Sequence, residues 1–201
     1  MNDRLNEDKS QALSSAVFTI PNLLSVFRIL LVPIFLWTML NKKSWEALLI
    51  FFIAGLTDLL DGFTARVWHQ RSKLGTILDP AGDKLLIATS YVILTLPSVA
   101  SPNFIPLWLT VVVFARDLLI VVGAFVAFLT WKQKTFAPSL LGKISTAGQV
   151  GTVFLVLLLN CYRVAPWYMS WIYWITLLVT LASGVNYFIY GLKILRQQRP
   201  A

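Results

Sequence analysis

One cysteine and one histidine occur in 201 residues, and only 13% of the chain is charged. A lone thiol, Cys161, cannot close an intrachain disulfide, so cysteine usage says nothing about redox compartment. His69 and Cys161 stand far apart and cannot supply the nitrogen and sulfur ligands of a zinc site; Cys161 reads as a small packing residue and His69 as a solvated loop residue. Also missing is a cleavable signal pattern, because residues 1–15 are polar and mixed in charge. The first apolar run is therefore expected to be retained.

What is present is apolar. The chain is 57% hydrophobic, with a mean hydropathy of +0.72, where an ordinary soluble domain is about half apolar and about a quarter charged. Runs of about 20 apolar residues recur, each long enough at about 1.5 Å per residue to cross a hydrocarbon core of about 30 Å. The fold class expected is all-α: a polytopic membrane protein with six transmembrane helices over 22–40, 45–63, 77–97, 104–130, 146–162 and 171–192. The segment 1–18 reads as a polar cytosolic tail or an interfacial helix interrupted at Pro21, 19–193 as one six-helix domain, and 194–201 as a basic cytosolic tail.

The net charge of +8 does not indicate a nucleic-acid partner, since the cations are spread among short loops between spans. With the amino terminus in the cytosol, that side receives Arg4, Lys9, Arg66, Arg71, Lys73, Lys132, Lys134, Lys143, Lys193, Arg196 and Arg199, against Lys42, Lys43 and Arg163 opposite. The positive-inside bias sets this orientation, and Trp37, Trp45, Trp108, Trp131, Trp167 and Trp171 near span ends read as interfacial anchors.

Against this background the stretch TDLLDGFTARVWHQRSKLGTILDPAGDK, residues 57–84, is anomalous, with four aspartates, two arginines and two lysines beside apolar spans. Asp58, Asp61 and Ala65 are spaced i, i+3, i+7, and Gly75, Asp79 and Asp83 are spaced i, i+4, i+8. Each set falls on one face of a helix. A tight turn around residues 70–73 would bring the two faces together; four bare carboxylates there would repel one another strongly, and on an insertion scale each also costs about 2.5 to 3.5 kcal/mol near mid-span. Hard divalent cations with oxygen ligands meet that need. Gly62, Ala65 and Gly75 leave room for a ligand or a neighbouring helix, and Arg66 offers a fork of donors suited to phosphate.

The pattern D-x2-D-G-x2-A-R-x8-G-x3-D-x3-D, complete as Asp58, Asp61, Gly62, Ala65, Arg66, Gly75, Asp79 and Asp83, resembles the signature of the CDP-alcohol phosphotransferases. Eight fixed positions over 26 residues make a specific signal. IPNLLSVFRILLVP before the motif and LLGKISTAGQ after the fourth span agree with it, and the resemblance covers most of residues 19–192. It implies that Asp58, Asp61 and Asp79 hold one or two Mg2+ or Mn2+ ions on a diphosphate, with Asp83 as general base and further ligand. It implies that Gly62, Ala65, Arg66 and Gly75 form the pocket for the cytidine-diphosphate donor, and that the protein is a homodimer. The expected setting is a bacterial-type inner membrane, with the site at the cytosolic face.

Within the family, TIPNLLSVFRI, AGLTDLLDGFTAR and LGTILDPAGDKLLI resemble the branch that uses CDP-diacylglycerol as donor and phosphatidylglycerol as acceptor, giving cardiolipin and CMP. Glycerol-3-phosphate is the alternative acceptor; several resembling bacterial enzymes that use it carry a second arginine on the fourth span, where this chain has Ala124 after Arg116 and Asp117. Arg28, Lys84, Arg116, Asp117 and Lys143 also lie in or beside spans. Arg116 is expected either to pair with Asp117 or to anchor the donor, Lys143 to meet an acceptor or lipid phosphate, and Lys84 to snorkel. A cation-binding transport protein is the competing class, but ALLIFFIAG and IATSYVILTLP carry no charge to continue an ion path. A membrane prenyltransferase would lack the Asp-Gly-x2-Ala-Arg element and have more spans.

Overall fold

A computed structural model gives the fold; it describes residues 20–67, 75–131 and 139–197, with side chains described over 23–58, 60, 82–123 and 139–189. Six α-helices account for the secondary structure of the described residues: α1 (Ile20–Leu40), α2 (Ser44–Val67), α3 (Gly75–Leu94), α4 (Leu107–Trp131), α5 (Leu140–Tyr162) and α6 (Met169–Gln197). Among the described residues, 23–40, 140–162 and 169–189 are long and apolar enough to cross a membrane. The protein is an all-α membrane protein. Helices α2, α3 and α4 have 24, 20 and 25 residues, so their lengths also match a span of about 20 residues. The expected interfacial helix at 1–18, the turn at 70–73 and His69 lie outside the described residues.

The chain divides into two compact units, 1–93 and 94–201. In the first, α1 buries Ser25, Arg28, Leu31, Phe35 and Thr38, and α2 buries Ala47, Phe51, Ala54 and Thr57. These spacings of three and four place each set on one helical face. Ala47 and Ala54, fully buried, let the backbones approach, and Phe35 meets Phe51 with ring centroids 6.1 Å apart. The opposite faces carry exposed Leu23, Phe27, Leu30, Ile34, Phe52 and Leu56. Polar groups inside and apolar ones outside suit a hydrocarbon solvent.

Helix α1 ends in a turn with Lys42 at φ 57°, closed by Lys42 N–H to Met39 O at 3.0 Å and Lys43 N–H to Thr38 O at 3.0 Å. The end of α5 repeats this device with Arg163 at φ 54°, Arg163 N–H to Asn160 O at 3.3 Å and Val164 N–H to Leu159 O at 3.0 Å. Both are Schellman closures in which a basic residue takes the left-handed position usually given to glycine.

Several helix ends depart from the expected bounds. Helix α5 starts at Leu140 rather than at 146 because Ser139 caps it, its Oγ accepting the Gly142 N–H at 3.0 Å. Helix α4 starts at Leu107, after Pro106, whose carbonyl accepts from Leu109 N–H at 3.0 Å. Helix α6 continues to Gln197, into the stretch expected as a tail, since Lys193, Leu195 and Arg196 are good helix formers and Pro200 comes later. Pro21 stands in the first turn of α1, where a missing N–H is tolerated, rather than ahead of the helix.

In the second unit α6 packs against α4 and α5 along a polar seam. Thr152 and Thr176 hydroxyls are 2.8 Å apart, and Ser145 Oγ donates to Thr180 Oγ1 at 3.2 Å. Small hydroxyl side chains allow close approach of helices and satisfy one another away from water.

Candidate active site

Unbroken helix through Val67 keeps positions 58, 61 and 65 on one face of α2, and helix from Gly75 keeps 75, 79 and 83 on one face of α3. The side chains of Asp58 and Asp83 are described; those of Asp61, Gly62, Ala65, Arg66, Gly75 and Asp79, and of Ala124, lie outside the described residues.

Asp58 and Asp83 meet at Arg28. The guanidinium nitrogen Nη1 of Arg28 lies 3.2 Å from Asp58 Oδ1 and also donates to Asp83 Oδ1. Carboxylates from two helices thus share one nitrogen on a third. Arg28 is 1% exposed, while the Asp58 and Asp83 side chains are 47% and 37% exposed. The cation is sealed among helices and the anions stand at an open edge. Charge-assisted bonds of this kind are about twice as strong as neutral ones, and they offset the cost of burying an arginine. Gly82, beside Asp83, brings α3 onto α1: a Cβ there would lie 3.5 Å from Ile29 Cγ1 and 3.8 Å from Arg28 Cδ.

No group of three histidine, cysteine, aspartate or glutamate side chains is assembled among the described residues. The donors present, two partly open carboxylates, are all oxygen and fit a hard divalent cation rather than zinc. Positions 61 and 79 fall one helical turn nearer the α2–α3 connection on the same faces.

Arg116, in the second unit, is 6% exposed. Its Nη1 donates to Asp117 Oδ1 at 2.7 Å, and its Nη2 to Ser183 Oγ at 3.0 Å and Gly142 O at 3.4 Å. The guanidinium lies 5.7 Å from the Tyr187 ring centroid. Of the two roles expected for Arg116, the pairing with Asp117 is present, and the same group ties α4 to α5 and α6. Lys143 is exposed in the first turn of α5.

Arg28 is the residue that sequence reasoning underused. Four acids near spans require positive charge, and Arg28 is the one cation within the first apolar run, a signal that pointed to a partner as well as to a metal.

The profile of the CDP-alcohol phosphatidyltransferase family matches residues 18–182. The chain belongs to that family. The resemblance carried by the aspartate motif is thereby confirmed over residues 18–182. Cardiolipin synthase (CMP-forming) of Homo sapiens is 36% identical over 193 residues, covering 88% of this chain and 62% of that protein. The enzyme of the same name from Streptomyces coelicolor is 40% identical over 129 residues, covering 60% of this chain and 57% of that one. CDP-diacylglycerol--glycerol-3-phosphate 3-phosphatidyltransferase of Escherichia coli K12 is 35% identical over 140 residues, covering 66% of this chain and 73% of that protein. The chain thus spans about three fifths of the length of the cardiolipin synthases it matches, 62% and 57%.

Proposed function

We propose that this protein transfers the phosphatidyl group of CDP-diacylglycerol to the hydroxyl of phosphatidylglycerol, forming cardiolipin and CMP. The observation that carries the reading is the complete eight-position family motif, two of whose aspartates, Asp58 and Asp83, converge from different helices at one buried cation. The similarity to cardiolipin synthases and the alanine at 124 support phosphatidylglycerol as acceptor. The similarity to the Escherichia coli enzyme, of which this chain covers 73%, supports glycerol-3-phosphate as the second reading.

Asp58, Asp61, Asp79 and Asp83 would hold one or two Mg2+ or Mn2+ ions, which neutralise the diphosphate and ease departure of CMP. Asp83 accepts the proton of the acceptor hydroxyl as its oxygen bonds to the phosphatidyl phosphorus and the bond to the CMP oxygen breaks. Gly62, Ala65 and Gly75 give the nucleotide close access to backbone, and Arg66 binds phosphate. Of Arg116 and Lys143, the exposed Lys143 at the start of α5 is the one assigned to an acceptor or lipid phosphate, because Arg116 is buried and engaged with Asp117 and Ser183. A donor with acyl chains and a charged nucleotide requires its reacting phosphorus near the interface. The reading therefore includes six spans, a homodimer, and a site at the cytosolic face of a bacterial-type inner membrane.

The test is CMP release and lipid product by purified protein given CDP-diacylglycerol and Mg2+ with each acceptor separately. Cardiolipin from phosphatidylglycerol is expected; phosphatidylglycerophosphate alone selects the second reading, and no CMP with either acceptor rejects both. Chelation should stop turnover, with Mg2+ or Mn2+ restoring it. Asp83→Asn should lower turnover by ~100-fold or more, and full activity of that variant would remove Asp83 from the mechanism.

A further inference from the structure

The geometry points to Arg28 as a positioning residue: a buried clasp that holds Asp58 and Asp83 together and keeps the carboxylate cluster assembled before any divalent cation binds. At 1% exposure Arg28 cannot reach a substrate, so whatever it contributes passes through the groups it touches. Among the described residues those groups include one oxygen of Asp58 on α2 and one of Asp83 on α3, both at the same nitrogen. A single rigid guanidinium shared by two carboxylates fixes their separation more tightly than two independent pairs would.

The charge balance leads the same way. The four aspartates of the motif bring four negative charges to the adjoining ends of α2 and α3, and the two whose side chains are described, Asp58 and Asp83, both touch Arg28. With no metal bound, carboxylates on neighbouring helices push those helices apart, and the repulsion is larger near a medium of low dielectric. Arg28 is the neutralising charge that the protein itself supplies. Its place in α1 is secured by close packing, since Gly82 leaves α3 in van der Waals reach of the Arg28 stem. Asp61 and Asp79 lie one turn nearer the α2–α3 connection than the two carboxylates described at Arg28.

The inference rests on the proposed function only in taking the aspartates as cation ligands, and its test needs no lipid substrate. Unfolding temperatures of the full-length protein in detergent are compared with and without Mg2+. Wild type is expected to change little on chelation. Arg28→Met should unfold on the order of 10 °C lower without cation, recover much of that loss with Mg2+, and recover it also without Mg2+ when combined with Asp58→Asn and Asp83→Asn. Arg28→Lys, which keeps the charge and loses the fork, should fall between wild type and Arg28→Met. A residue that merely fills space would give a loss that neither Mg2+ nor the paired Asn substitutions repair, and that result overturns the proposal. If Arg28→Met does not fold, the triple variant decides: folding of the triple variant supports the clasp, and its failure to fold rejects it. A clasp confirmed by the Asn substitutions in a protein that releases no CMP would separate this inference from the proposed reaction.

Discussion

Gly142 shows how one missing side chain organises a corner of the second unit. A Cβ there would lie 2.6 Å from Tyr187 Oη, 3.1 Å from Tyr187 Cε2 and 3.2 Å from Ser139 Oγ. Tyr187 Oη accepts the Ser139 N–H at 3.1 Å, Ser139 caps α5, and the Tyr187 ring lies beside Arg116. Gly142→Ala must therefore move a ring that Ser139 and Arg116 both contact, and a loss of about 1–3 kcal/mol is expected. Thermal unfolding in detergent measures it. Adding Tyr187→Phe removes the closest clashing atom and should recover part of the loss; an unchanged double variant would show that the ring position is not the cause. The aspartate faces were legible at this scale because helical spacing alone encodes them. The meeting of Arg28 with two of those aspartates was not, because it depends on a contact between helices that no local pattern records. Gly142 stood within a recognisable segment, yet its reason lies with Tyr187, 45 positions away.

Elements are held at their ends as much as along their faces. Asn160, near the end of α5, accepts at Oδ1 from Asn103 N–H at 2.8 Å and Asn103 Nδ2 at 3.0 Å, and its own Nδ2 donates to Asn103 O at 2.8 Å. Asn103 Nδ2 donates in turn to Val164 O at 2.7 Å, just beyond the left-handed Arg163. The loop ahead of α4 is thus fastened to the end of α5 by two amides that are 7% and 5% exposed. Asn160→Ala leaves the Asn103 backbone N–H and C=O without these partners, each worth about 1–3 kcal/mol when buried and unpaired. A lower unfolding temperature is expected, with faster amide exchange at 103. Wild-type stability in Asn160→Ala would mean that water replaces the amide. The helices themselves were readable from apolar runs, whereas their ends were less so. Ser139 ahead of Leu140 is a cap signal of ordinary strength overshadowed by the later Thr146, and α6 outlasts its apolar run because polar helix formers carry it on.

At the scale of the whole chain, the distribution of cations predicts one orientation. On the six-span reading, eleven cations belong to the side bearing the aspartate site, and Lys42, Lys43 and Arg163 to the other. Lys42 and Arg163 both close helices in the left-handed position, so these cations sit at tight turns, and each has exposed tryptophan nearby in sequence, Trp37 and Trp45 beside the first and Trp167 beside the second, as interfacial anchors would be. The single cysteine makes the orientation measurable, because Cys161→Ser leaves a background with no thiol. In that background Lys42→Cys should react with a membrane-impermeant maleimide on intact cells, and Arg199→Cys should react only after the membrane is opened. The reverse pattern would place the aspartate site on the outer face, where cytosolic CDP-diacylglycerol headgroups cannot reach it. Reaction of both positions from one side would mean an even number of crossings between them, and so would reject the six-span reading, in which five crossings put residues 42 and 199 on opposite sides.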